Sequence, residues 1–173
     1  PSNFKIISLN DLNFYDEIPE NENTIEKNSI FKSNFIYEKF KLNVFADDTG
    51  LEIEVLNNLP GVKSARYAGP EKNSSKNLNK VLDELKNNNF RKAKFKTVIS
   101  LIFNGKLNLF QGVINGEITH HKIGNKGFGY DSIFRPNNSI KTFGEMSFVE
   151  KNKISHRAIA INKLKKFLMK VYD

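Results

Sequence analysis

The sequence predicts a single α/β domain with a mixed sheet flanked by helices. Three observations lead there. Segments of alternating or β-branched character interleave with segments whose apolar residues recur every three or four positions. Two strand-like runs in the middle of the chain meet across Asn104-Gly105, a favoured two-residue hairpin turn. The 173 residues hold no internal repeat or long linker, and this length suits one hydrophobic core.

Taken in order, Phe4–Leu9 reads as a strand from its β-branched and aromatic residues. Asn10–Asn23 is polar and turn-rich, with Pro19 inside it. Thr24 is placed to cap a helix reaching about Lys41, with Ile25, Phe31, Phe35, Ile36 and Phe40 as its apolar stripe. Asn28 and Lys32 lie four apart and share a face. Val44–Ala46 is a short strand that leads into Asp47-Asp48-Thr49-Gly50, read as a turn. Leu51–Leu56 then alternates as a strand with one wet face. Asn57–Gly69 is a loop. Ser74 or Ser75 caps a second helix striped by Leu78, Val81, Leu82 and Leu85. Phe95–Phe103 and Leu107–Ile114 form the hairpin, and Asn115-Gly116 marks a turn or a bulge before Glu117–His121. Gly124–Asp131 is a glycine-rich loop, and Ile140–Phe143 is a short strand. Ser147 and Glu150 form a capping-box pattern, and Ser155 caps a last helix lined by Ile161, Leu164, Leu168 and Val171.

Composition narrows the chemistry. Cysteine is absent, which excludes disulfides and thiolate metal sites and fits a cytoplasmic protein. The three histidines, His120, His121 and His156, are not spaced as a zinc site, so a hard cation held by carboxylates is the expected metal. His120 and His121, adjacent in an expected strand, face opposite ways and read as structural. No apolar run approaches the roughly 18 residues of a membrane span. The net charge of +8 reads mainly as solvated lysines, although a positive field favours a phosphorylated ligand. No nucleic-acid-binding motif is present, so no nucleic-acid or membrane partner is expected.

Four constellations carry possible chemistry. Asp47 and Asp48 could reach a magnesium ion together if a turn breaks strand alternation there; on the tetrapeptide alone, an Asx-turn ending a strand is the simpler reading. Glu20 is a loop acid that becomes a second metal ligand only if it lies beside Asp48. In Gly127-Phe128-Gly129-Tyr130-Asp131, the glycines let backbone approach a flat ligand, the aromatics can stack on a base, and Asp131 can accept a hydrogen bond. A tight turn with aromatics in the core explains this loop equally well. Ser155-His156-Arg157 sets cations at a helix start, against the helix dipole, which points to an electron-rich partner such as a purine 6-oxo group. Lys32, Arg66 and Lys151 are further cations suited to phosphate or base edges.

In their order and spacing these segments resemble the inosine-triphosphate pyrophosphatase family. The matching stretches are FADDTGLEIEVLNNLPGVKSARYAG from Phe45 to Gly69, KGFGYDSIF from Lys126 to Phe134, and TFGEMSFVEKNKISHRA from Thr142 to Ala158, with weaker similarity over Phe4 to Lys41. The resemblance implies magnesium-dependent hydrolysis of a purine nucleoside triphosphate such as ITP, dITP or XTP to monophosphate and pyrophosphate. It also implies an elongated fold with a cleft between two lobes, and a homodimer. It assigns Asp48 as general base and metal carboxylate with Asp47 beside it, and Glu20 as the other ligand. Thr49 and Lys32 would lie near the phosphates, Phe128 to Asp131 would form the base loop, and Lys151, His156 and Arg157 would hold the base and select its 6-oxo edge. One departure is expected to matter. The chain opens at Pro1, without the family's strand and Thr/Ser-x-Asn-x-x-Lys phosphate-gripping segment.

The sequence is compatible with other readings. One is a related pyrophosphatase of different base specificity, and another is a nucleotide-binding protein made inactive by loss of the phosphate loop. A basic nucleic-acid-binding module ranks last.

Overall fold

The computed structural model describes residues 4–172; the reading of Pro1 lies outside them. Five strands and four α-helices carry the architecture. They are α1 (Ile25–Phe40), β1 (Val44–Ile53), β2 (Leu59–Pro60), α2 (Ser74–Glu84), β3 (Lys92–Phe103), β4 (Lys106–Ile118), β5 (Phe134–Pro136), α3 (Phe148–Ile154) and α4 (His156–Tyr172). The sheet order is β2-β1-β3-β4-β5. Every pairing among the described residues is antiparallel, so the sheet is not mixed as expected. The hairpin explains its centre. Asn104 and Gly105 both take positive φ, 49° and 74°, the geometry that matches strand twist and lets β4 return directly beside β3.

Four local expectations change. Phe4–Leu9 forms no strand; its backbone is irregular and ends in a turn, and Ile6 is 78% exposed. Asp47–Gly50 is not a turn. β1 runs straight through it, paired residue by residue with Lys96–Ile99 of β3, and then gives way to a 3-10 turn at Glu54–Leu56. β4 likewise continues through Asn115-Gly116 to Ile118, leaving His120 and His121 outside the sheet. The last strand is Phe134–Pro136 rather than Ile140–Phe143. Among the caps, Thr24 and the Ser147–Glu150 box form as read, whereas α2 is capped by Asn73, whose side chain accepts from Lys76 N.

Alternation along β1 and β3 divides the sheet into two working faces. On one face, Ser29 of α1 bonds the Ala46 carbonyl and Ser100 of β3. The opposite face carries two separate apolar clusters. Ile99, Leu101, Phe103 and Phe110 pack on Ala160 and Leu164 of α4. Leu51, Ile53 and Phe95 pack with Leu78 and Val81 of α2 and with Phe134, Phe143 and Tyr130 of the later loops. A cavity opens beside the second cluster, walled by its Leu51, Phe95, Tyr130 and Phe143 together with Lys151 of α3 and Arg157 of α4.

Candidate active site

The cavity measures about 650 Å³ and gathers Thr49, Phe95, Phe128, Gly129, Tyr130, Asp131, Lys151, His156 and Arg157, residues from four elements and one loop. The volume suits a small organic ligand.

The glycine-rich loop is folded around Asp131. This carboxylate is buried, and its Oδ2 accepts from the Phe128 amide at 2.8 Å and from Lys151 Nζ at 2.5 Å. Gly127 has φ +76°, and a methyl group there would collide with the Asp131 carboxylate, so glycine is required. Tyr130 is buried rather than free to stack; its hydroxyl donates to the Ser64 carbonyl at 2.8 Å, and burial raises its pKa. Phe128, by contrast, is 70% exposed at the rim, with Lys151 Nζ 4.7 Å from its ring centre. One aromatic of the pair anchors the loop and the other is available to a base.

The helix tip is placed by β4. A methyl group on Gly112 would overlap the His156 carbonyl oxygen, so α4 starts where it does because β4 offers no side chain at that point. Ser155 Oγ accepts from Ala158 N and caps the helix. His156 lies face to face with Phe95, centroids 4.6 Å apart and 15° from parallel. Burial, together with the charges of Arg157 and Lys151, lowers its pKa to about 3, so the ring is neutral. Among the described residues, its Nδ1 is a buried polar atom with no hydrogen-bond partner. Such an atom is costly unless a ligand or a water completes it. Arg157 Nη2 turns back to the sheet, 2.9 Å from Asp47 Oδ2 and 3.3 Å from Thr49 Oγ1.

The remaining predicted residues lie on the other face of β1. Lys32 Nζ sits between Glu20 Oε1 at 2.9 Å and Asp48 Oδ1 at 3.3 Å. Arg66 Nη2 donates to the Glu20 carbonyl at 2.7 Å, and Asn28 Nδ2 donates to Asp48 Oδ2 at 3.3 Å. Burial raises the Asp48 pKa, opposed by Lys32, while Glu20 raises it further. Asp47 does not join this group. In an unbroken strand, adjacent side chains point to opposite faces, so the expectation that a turn lets Asp47 and Asp48 reach one ion is not met. The two faces meet at the edge of β1. β2 pairs only with Glu52 and Ile53, so Asp47–Thr49 have no ladder neighbour on that side among the described residues.

The donor set fits a magnesium ion in one specific way. Among the described residues, no three His, Asp or Glu side chains come together as metal ligands. Two carboxylates, however, already share one cation, the Lys32 ammonium. Two carboxylates completed by water and substrate phosphate oxygens are a normal protein contribution to magnesium. Sequence reasoning missed Phe95, Asn28 and Gly112. Asn28 carried the only available signal, a polar residue on the same helix face as Lys32.

Fold and site together define a single-domain α/β protein with a ligand cavity beside a carboxylate–cation cluster. Residues 1–167 match the Ham1 family, and the chain belongs to that family. It is 49% identical over 164 residues to a dITP/XTP pyrophosphatase of Flavobacterium johnsoniae, covering 95% of this chain and 85% of that protein. It is 40% identical over 171 residues to a protein of the same name from Bacillus subtilis, covering 97% and 86%. The Staphylococcus aureus Ham1 protein superposes with a TM-score of 0.93 at 39% identity, covering 97% of this chain and 88% of that one. The resemblance read from the sequence is thereby borne out.

Proposed function

We propose that the chain hydrolyses non-standard purine nucleoside triphosphates (ITP, dITP, XTP) to the monophosphate and pyrophosphate. The names of its relatives support this reading. The observation that carries it is the neutral His156 Nδ1, without a partner among the described residues, beside Arg157 in a cavity walled by β1, whose other face carries the paired carboxylates. A 6-oxo purine brings an acceptor and an adjacent N–H donor to that wall; adenine brings the reverse pattern and leaves buried groups unmatched.

The base enters between Phe128 and the Phe95-supported imidazole, with Lys151 held over the aromatic rim by Asp131. The phosphates pass the open edge of β1 toward Glu20, Lys32, Asp48 and Arg66. Asp48, with its pKa raised by burial, is suited to orient a water and take its proton as the oxygen attacks the α-phosphorus. The bond from the α-phosphorus to the bridging oxygen breaks, and pyrophosphate leaves with that oxygen. Glu20 and Asp48 would hold magnesium, which supplies neutralisation of phosphate charge and polarisation of the water. Lys32 and Arg66 lie where charge develops on the departing group. A cytoplasmic homodimer belongs to the same reading, and sedimentation at dimer mass tests the oligomeric part.

The test is pyrophosphate release in a magnesium titration, with ITP and XTP against ATP. Magnesium-dependent turnover of ITP and XTP, with ATP slower by at least tenfold, is expected. Equal rates would remove the base-selection reading, and no turnover would remove the enzymatic one.

A further inference from the structure

Lys72 lines the base cavity and is paired with the loop that carries Glu20. It lies in the turn before α2, with φ 52°. Its Nζ reaches across the mouth to Glu17 Oε1 at 2.8 Å. Glu17 sits in the same loop as Glu20, and that loop is tied to the segment before α2 a second time by Arg66. Glu20 and Arg66 lie near enough to act electrostatically on Lys72. The ammonium therefore stands between the cavity that would hold the base and the cluster that would hold the phosphates.

The pairing itself is weak. The Lys72 and Glu17 side chains are 54% and 83% exposed, and such surface pairs contribute little and exchange readily. A polyphosphate carries several negative charges and offers charge-assisted bonds that one solvated carboxylate cannot rival. Resting on the nucleotide reading above, we propose that Lys72 is a substrate-binding residue: it leaves Glu17 when a nucleoside triphosphate enters and contacts the phosphate chain where this crosses from the cavity to Glu20 and Asp48. Glu17 then acts as a parking partner that keeps the ammonium at the mouth.

Two variants distinguish this from a structural tie between loops. Lys72→Ala is expected to raise KM for ITP about fivefold with kcat within twofold, the loss of one partly exposed charge-assisted contact, and Lys72→Arg to restore most of it. Glu17→Ala is expected to leave KM unchanged or lower it, because it frees the lysine. Inhibition by inorganic tripolyphosphate should weaken in Lys72→Ala, while inhibition by inosine should not. The proposal is overturned if Lys72→Ala leaves KM unaltered, if both alanine variants raise KM alike, or if inosine inhibition weakens as much as tripolyphosphate inhibition. Wild-type protein without ITP turnover would instead defeat the functional reading, so the two failures are separate.

Discussion

On one face of β1 the cavity proposed for the base is assembled from buried, mutually fixed groups, while on the other face the cluster proposed for the phosphates is held by ion pairs. The cavity wall consists of a stacked imidazole, an anchored Tyr130, a carboxylate that clamps its own loop, and glycines placed where a methyl group would collide. Glu20, Lys32 and Arg66 keep 36%, 15% and 31% side-chain exposure and neutralise one another. The difference follows from what the proposed function asks of each. Discrimination between purines rests on unmatched polar groups and therefore requires a wall that does not yield. Phosphate and metal binding requires charges that exchange partners, and charges already paired spare the protein an uncompensated buried carboxylate.

The comparison breaks first at Asp48. Asp48→Asn should lower kcat by about 10³-fold and leave the thermal transition within a few degrees. The Asn28 contact survives with an amide, and the lost carboxylate is one that burial already disfavours. Turnover within tenfold of wild type would remove Asp48 from the chemistry and make the cluster purely structural. The second largest effect lies on the rigid side. Gly112→Ala sets a methyl against the backbone of His156, which cannot swing aside as a side chain could. About 3 kcal/mol of destabilisation is expected, seen as a Tm lower by roughly 10 °C. An unchanged Tm would show that α4 slides freely on β4.

The two faces also differ in how much of them the sequence displays. The cap at Thr24, the hairpin at Asn104-Gly105 and the capping box at Ser147 are local, and each forms as read. The glycine-rich loop reads equally as a ligand loop or as a tight turn with aromatics in the core, and the structure divides the pair: Tyr130 is buried, Phe128 is exposed, and Gly127 makes room for the Asp131 carboxylate four residues on. β1 is misread because Asp47, Asp48 and Gly50 carry little intrinsic strand preference. Ten ladder partners on β3 override that preference, which is a tertiary effect with no local trace. Phe4–Leu9 fails for the converse reason, a strand pattern whose backbone stays irregular in the structure. Glu20, Lys32 and Asp48 come together only through the packing of α1 on β1, so their grouping was accessible by family resemblance and not by spacing. Gly112 and Phe95 matter through contacts more than 40 positions away along the chain, and no window of sequence marks them.

Acid sharpens the contrast, because the rigid face contains a histidine that stays neutral. Its folded pKa is about 3 against an ordinary 6.5. Between those values the unfolded chain takes up a proton that the folded chain refuses. The contribution to stability is therefore complete above about pH 6.5 and is lost as pH falls toward 3. At pH 5 the loss attributable to this residue is about 2 kcal/mol. Denaturant unfolding at pH 7 and pH 5, in wild type and in His156→Phe, isolates it: the variant should lose about that much less stability between the two. Equal losses would mean that the imidazole charges freely in the folded protein.

The same variant gives the smallest expected effect and the most specific one. A phenyl ring in place of His156 keeps the stack on Phe95 and removes the one buried polar atom without a partner among the described residues, so folding is not impaired. What would disappear is the hydrogen bond to the base edge proposed above, made only with substrate bound. The preference for ITP over ATP in kcat/KM should fall about tenfold, the worth of one net hydrogen bond in a dry pocket, with Arg157 retaining the rest. Because the carboxylate cluster lies on the opposite face, kcat for ITP should remain within a few-fold of wild type. If kcat falls while the ITP-to-ATP ratio is preserved, His156 serves the chemistry and not the choice of base, and the division of labour between the two faces of β1 is wrong.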